Sequence, residues 1–312
     1  KEVYQILSPE DRQPGWRDRT SLERFDLHTG LVQPLTFGYH NVGFQDISND
    51  GRYILFMTSR EHYTQRPTTL RTIYRLDLNT MRADTLVKDD GFINEAKFSP
   101  DGRQILVMGS PESFGGIGKN LPQGRIPNAY DHQLYILTIA DRQVKPITKF
   151  FKPSVNQVLW SKNDGKIYFT ADDRDFVHLF RADAKTSRID KITQPEDIVT
   201  HLSAADGAPM LVLNTEGASN ADRVYTVNTA NKRVTLVEDM NRAILKGVDM
   251  GECKAWDFVN SRGDTICGRY YLPPHFDANK KYPLVVNYYG GCSPTSRFFE
   301  TRYPHHAYAA LG

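Results

Sequence analysis

Cysteine, net charge, long apolar runs and helical periodicity are all scarce in this chain of 312 residues. The three cysteines, Cys253, Cys267 and Cys292, have no C-x-x-C spacing. They indicate neither a disulfide framework nor a zinc site, and each reads as a small buried residue. Lys and Arg number 39 against 37 Asp and Glu, a formal charge of +2, which removes the electrostatic reason to expect nucleic acid or an anionic membrane as partner. No apolar run approaches the roughly 20 residues of a membrane helix. The opening, KEVYQILSPEDRQPGW, lacks the charged-then-apolar order of a signal peptide. No motif calls for a metal or a cofactor, which leaves small molecules or peptides as ligands. With 39% hydrophobic and 11% aromatic residues, the chain can build a packed core.

What the chain does have is a repeat. Its first half is an apolar residue, Ser or a near equivalent, a turn ending in Asp-Gly, and a β-rich run. The copies are ISNDGRYILFMTS (Asp50, Gly51), FSPDGRQILVMGS (Asp101, Gly102), WSKNDGKIYFTAD (Asp164, Gly165) and, more weakly, LSAADGAPMLVLN (Asp206, Gly207). Asp-Gly between β-prone runs marks a hairpin, because glycine accepts the positive φ that tight turns require. The second half is another strand pair, as in IYRLDLNTMRADTLV, LYILTIADRQVKPIT, HLFRADAKTSRIDKIT and VYTVNTANKRVTLV. Its equivalent residues Tyr74, Tyr135, Phe180 and Tyr225 stand 61, 45 and 45 residues apart. Four short strands at that period are the pattern of β-propeller blades. A long β-sandwich is the competing architecture, but sandwiches do not repeat one four-strand phrase.

The fold class is therefore mostly β, an incomplete β-propeller of about four and a half blades. Four blades fall at about 40–88, 91–149, 154–194 and 196–238, with the closing strands of one more, LERFDLHTGLVQPLT, within 1–37. A chain beginning in mid-blade leaves an unpaired edge, so earlier blades are expected to be missing from this sequence. The longest spacing reflects an insertion, SPESFGGIGKNLPQGRIPNAYDHQ, between the second and third strands of its blade. Long loops of this kind are frequent binding loops.

After Val237 the pattern stops. AWDFVNS and TICGRYYLPP predict a hairpin about Arg262-Gly263-Asp264. A Pro-Pro and Asp-Ala-Asn turn then leads to a predicted strand, YPLVVNY, and to Tyr288-Tyr289-Gly290-Gly291-Cys292-Ser293-Pro294. A propeller followed by GRYYLPPHFDANKKYPLVVNYYGG resembles the prolyl oligopeptidase family of serine peptidases, which includes the dipeptidyl-peptidase type. The resemblance implies residues 1–240 as propeller and 241–312 as the first strands of an α/β-hydrolase catalytic domain.

In that family the tyrosine of Tyr-Gly-Gly, or of Tyr-Ala-Gly-Pro, gives its hydroxyl to the oxyanion of acyl transfer. The matching residue here is Tyr289, with Tyr288 the neighbour one register away. Gly290 and Gly291 would let the backbone turn closely. Cys292-Ser293 also resembles the dipeptidyl-peptidase loop, although the proline usual before the cysteine is Gly291 here. The resemblance implies hydrolysis of small peptides, with a homodimer as a compatible assembly. It also favours a periplasmic or extracellular location over the cytoplasm.

The nucleophile elbow G-x-S-x-G is absent from these residues. The triad is expected beyond Gly312, and the fragment itself is expected to be inactive. The family's paired glutamates for a peptide amino terminus have no match either, Glu95 being a lone candidate. Other tempting stretches have plainer readings. GGIGKN fails the phosphate-loop pattern at Ser113 and at Asn120. DDRD at 172–175 reads as a turn between two strands. His305 and His306, neighbours on a helix, point apart and have no third ligand spaced with them. Ser293 has no base within reach and is not read as a nucleophile. Two other function classes compete: a non-catalytic propeller module of the TolB type, and an esterase or other acyl hydrolase on the same scaffold.

Overall fold

A computed structural model describes residues 19–62, 65–192, 194–288, 297–299 and 303–311. The chain divides into two compact units, residues 1–151 and 152–312. In the first unit β1 (Glu23–Phe25) pairs with β2 (Val32–Pro34). Two four-stranded antiparallel sheets follow. One is β3 (Asn41–Ile47), β4 (Tyr53–Glu61), β5 (Thr69–Asp77) and β6 (Arg82–Asp90); the other is β7 (Ile93–Phe98), β8 (Gln104–Gly109), β9 (Gln133–Thr138) and β10 (Val144–Pro146).

The second unit repeats the plan. Its sheets are β11 (Ser154–Trp160), β12 (Ile167–Asp173), β13 (Phe176–Ala182) and β14 (Ile189–Lys191), then β15 (Ile198–Ala204), β16 (Met210–Gly217), β17 (Asn220–Asn228) and β18 (Val234–Asp239). A single parallel bridge, Val177 to Ile198, joins the two. Each four-strand phrase of the sequence is thus one β-propeller blade. A two-stranded hairpin, β19 (Cys253–Val259) and β20 (Thr265–Tyr271), is the last β structure among the described residues.

The repeated serine earns its place by capping the turn. Ser48 Oγ donates to Asp50 at 2.6 Å and accepts from the Tyr53 N–H at 2.8 Å; Ser99 does the same with Asp101 and Gln104. Gly51, Gly102 and Gly165 take positive φ of 70°, 67° and 67°, as the turns require. The fourth copy departs from the expectation. It is a hairpin, but Gly207 has no positive φ. The turn there runs from Ala205 to Met210, and none of its residues takes the left-handed conformation.

Neighbouring blades are joined by side chains re-aimed at bulges in their first strands. The β3 bulge presents Gln45, whose Oε1 accepts from the Ala96 N–H of β7 at 3.0 Å. At the equivalent place in β11, Gln157 donates to Thr200 O at 2.7 Å and accepts from the Leu202 N–H at 3.1 Å. The core of each unit lies between the blades so joined. Leu55, Ile73, Ile93, Ile105, Val107 and Tyr135 are buried in the first unit, and Tyr168, Leu179, Val199, Leu211 and Leu213 in the second.

The long insertion between β8 and β9 is less open than its length implies. It begins with a tight turn, α1 (Ser113–Gly116), in which Phe114 and Gly115 take positive φ of 55° and 73°. Ser113 is buried and donates to Phe92 O at 3.0 Å, while the Phe114 ring packs 5.2 Å from Tyr135. A Cβ on Gly118 would lie 2.1 Å from the Tyr135 hydroxyl, so this part of the loop is fitted against the blade.

Burial of tyrosine sets one pH limit. Tyr168, 1% exposed, donates its hydroxyl to Asp164 Oδ2 at 2.7 Å. Burial first, and the Asp164 carboxylate second, push its pKa up to about 12. An unfolded tyrosine ionises near 10, so the folded value is raised. The resulting stability is complete below about pH 10 and is lost as pH rises toward 12. Urea midpoints should therefore be flat from pH 7 to about 9.5 and fall above it. Tyr168→Phe should reduce that alkaline slope; an unchanged slope would assign the loss to other groups.

Candidate functional site

The β19–β20 hairpin leads from the blades toward the motif. Its turn forms as the sequence predicts: Asn260 Oδ1 accepts from the Arg262 and Asp264 N–H groups at 2.8 and 2.9 Å, and Gly263 has a φ of 85°. Trp256 and Phe258 share one face, their rings 4.9 Å apart and exposed. Only its end near Arg269 and Tyr271 is packed, against Asp175, His305 and His306; most of the rest of the hairpin is exposed. That accounts for a misreading: Cys267 is exposed and Cys253 only partly buried, not core residues.

The next turn is held by Asp277, which accepts from the Asn279 N–H at 3.0 Å, and by Phe276 packed 5.2 Å from Tyr282. The expected strand over YPLVVNY is not formed. Residues 281–288 have no ladder partner among the described residues, and Leu284, Val285 and Val286 are exposed. A run rich in Val and Leu has strand propensity, but a strand exists only through its neighbour. Tyr289, the candidate oxyanion donor, lies outside the described residues, as do Gly290, Gly291, Cys292 and Ser293. Tyr288 is 88% exposed.

The chain beyond the motif is well tied. Arg297 Nε donates to Asp175 Oδ2 at 2.7 Å, its backbone N–H donates to Asp175 O at 3.2 Å, and its guanidinium lies 4.3 Å over the Phe176 ring. The Phe299 N–H donates to Glu216 Oε2 at 2.7 Å. α2 (His305–Ala310) follows. His305 and His306 do not simply point apart: both meet Tyr271, His305 stacked on its face and His306 against its edge, each at 4.9 Å. One aromatic ring is broad enough to touch adjacent helical positions.

His306 Nε2 lies 2.7 Å from Ala218 O and 3.1 Å from Ser219 Oγ, so this nitrogen carries the proton and donates to the carbonyl. Burial pushes both imidazoles below their ordinary pKa, which leaves them neutral at pH 7. With Met250 and Phe299 they line a cavity of about 440 Å³ whose walls are mainly apolar. Among the described residues no three His, Cys, Asp or Glu side chains converge as a metal site.

The other singled-out residues are structural. In DDRD, Asp172 accepts from Asn156 at 2.8 Å, Asp173 pairs with His178 at 3.1 Å, and Arg174 takes the left-handed turn position with a φ of 62°. Glu95 pairs with Lys97 at 2.7 Å, and Lys119 of GGIGKN with Glu112 at 3.2 Å. Sequence reading missed Asp197, Glu216 and Arg297, and saw in Asp175 a turn residue alone. Arg297 and Asp175 are 122 positions apart, and nothing local marks their pairing.

No family model matches the chain. Among curated proteins it is 25% identical over 268 residues to dipeptidyl-peptidase 5 of Porphyromonas gingivalis, covering 84% of this chain and 37% of that protein. A shorter match, 37% identical over 76 residues, is to dipeptidyl peptidase 4 of Bos taurus and covers 22% of this chain and 10% of that protein. The chain thus spans well under half the length of these relatives. Among solved structures, an oligogalacturonate lyase in complex with manganese matches with a TM-score of 0.54 at 14% identity, over 70% of this chain and 59% of that one. TolB from Acinetobacter baumannii matches with a TM-score of 0.50 at 14% identity, over 80% of this chain and 57% of that one. At such identities the two structures show the shared blade fold alone. Among the described residues no helix is long and apolar enough to cross a membrane.

Proposed function

We propose that this chain, which resembles the prolyl oligopeptidase family of peptidases, supplies the blades (1–240) and first catalytic-domain strands (241–312) of a longer serine peptidase of the dipeptidyl-peptidase type. The observation that carries the reading is the extent of the match to dipeptidyl-peptidase 5. At 84% of the chain it needs more residues than the blade region holds, so it reaches into the segment with the β19–β20 hairpin and the motif. A non-catalytic TolB-type module has no use for that segment.

The reaction is hydrolysis of small peptides through an acyl-enzyme. A serine outside these residues attacks the peptide carbonyl carbon, and the carbonyl oxygen becomes an oxyanion. The Tyr289 hydroxyl donates to that oxyanion, the amine leaves with a proton, and water releases the acyl group. The blades limit access to short chains, and the site of action is periplasmic or extracellular.

The test uses the longest protein expressed from the gene and dipeptidyl p-nitroanilides with free and with blocked amino termini. Release of p-nitroaniline from the free form alone supports a dipeptidyl-peptidase. Cleavage of p-nitrophenyl esters without amides would point to the esterase, and no cleavage of either to a binding module.

A further inference from the structure

Two histidines supply the ring and hydrogen-bond contacts that α2 makes with the rest of the second unit among the described residues. α2 has only 6 residues, none of them buried. A helix of that length has little stability of its own in water, so its order depends on docking. His306 reaches the two-residue turn between β16 and β17, where its Nε2–H donates to Ala218 O at 2.7 Å beside Ser219 Oγ at 3.1 Å. His305 stacks on Tyr271 of β20, and its Nε2 lies 3.4 Å from Asn287 Nδ2. His306 meets the same tyrosine ring at 4.9 Å and the Phe299 ring at 6.4 Å.

These contacts suit neutral rings. With Nε2–H committed to the carbonyl, His306 Nδ1 is a bare lone pair, and it is buried with no hydrogen-bond partner among the described residues. A proton there would create a charged donor with nothing to receive it, in a place water does not reach. Burial opposes a charge on His305 as well, and so do the neighbouring Arg269 of β20 and His306 itself. For His306 burial is again the main influence, with the Ala218 carbonyl alone favouring the charged ring. The acids near by are occupied: Glu216 at the end of β16 accepts from the Phe299 N–H at 2.7 Å, and Asp249 beside Met250 lies 3.1 Å from His275. Arg297 is paired with Asp175 and Asp197, and burial keeps Tyr271 and Cys253 in their neutral forms. An imidazolium is attracted to a tyrosine face, which offsets part of the penalty at His305 and leaves His306 the larger share.

We propose that α2 is an acid-sensitive latch: it docks on β20 and on the β16–β17 turn while both imidazoles are neutral, and releases when they take up protons. The inference stands on contacts within the second unit and does not rest on the peptidase reading. In a released segment histidine titrates near 6.5, whereas the docked rings resist protonation. Docking is therefore complete above about pH 7 and weakens as pH falls through about 6.5. Release would uncover Met250, Tyr271 and Phe299, which together with α2 line the cavity of about 440 Å³. Acidity would thus control the exposure of an apolar surface.

The test is amide hydrogen exchange, read by mass spectrometry on the longest form of the protein at pH 7.5 and 5.5 and corrected for intrinsic exchange rates. Protection of 303–311 should fall by about tenfold through His306 alone and by up to about 100-fold with His305, while β12 and β16 keep theirs. His306→Gln retains a neutral N–H for Ala218 O, so the fall should shrink to about threefold. With His305→Gln added, protection should hold within about twofold.

Equal protection of 303–311 at the two pH values overturns the proposal. A parallel loss in β12 and β16 does so too, since that is general acid unfolding, and so does a fall of wild-type size in the double variant. Should the glutamine variants fail to dock at pH 7.5, the wild type decides. Its His306 ring, followed by NMR through the C2–H, must gain a proton over the interval in which protection is lost; titration at a different pH overturns the latch.

Discussion

Tyr289→Phe in the longest peptidase form lowers kcat by about 100- to 1,000-fold, with little change in KM and none in Tm beyond a degree or so. The magnitude is that of losing one oxyanion-hole donor, about 3–4 kcal/mol of transition-state stabilisation. KM stays because the donor meets its full charge only after the serine has attacked, so the ground state loses little. Tyr288→Phe is the internal control. With 88% of its surface exposed, Tyr288 makes no hydroxyl hydrogen bond among the described residues, and its variant should keep wild-type kcat. A large loss at Tyr288 and none at Tyr289 would shift the motif by one residue. Normal turnover in both variants would exclude a tyrosine donor altogether.

Gly251→Ala gives the largest expected loss of stability. Gly251 is buried just before β19, and its carbonyl accepts from Ser219 Oγ at 3.3 Å. A Cβ there would sit 1.7 Å from Leu272 O, 2.8 Å from Leu272 C and 3.1 Å from Pro273 C. These are backbone atoms and cannot swing aside. Leu272 is moreover tied to Glu252 by its N–H at 2.9 Å, so the clash must be relieved by parting the end of the hairpin. The cost should lie near the top of the overpacking range, about 3 kcal/mol, or a Tm lowered by about 10 °C. Gly207→Ala is the matched control: its Cβ meets nothing within 4 Å and its φ is ordinary, so stability should hold or rise slightly. Equal behaviour of the two variants in thermal unfolding would refute the steric account.

The blades were legible because their information is local. Asp50-Gly51, Asp101-Gly102 and Asp164-Gly165 announce a turn within four residues, and the strands on either side carry their own β-branched and aromatic propensity. Gly207 shows the limit, since its turn closes without any residue in the left-handed region and Asp-Gly alone does not reveal that. The hairpin about Gly263 was legible for the same reason. YPLVVNY was not, because its propensity is local but its pairing is not. The Arg297–Asp175 pair was invisible on similar grounds. Asp175 looked like a turn residue, and it is one, but its second task depends on Arg297, which only the folded chain brings near. Helical geometry alone sets His305 and His306 apart, and it does not include the Tyr271 ring that receives both.

Whether these residues are part of a serine peptidase is decided by intact mass spectrometry before and after a fluorophosphonate probe. The longest form expressed from the gene should be well above the mass of this chain and gain one adduct, on a serine outside these residues. A protein of that length that takes up no adduct would contradict the peptidase reading and leave a propeller that binds without catalysis.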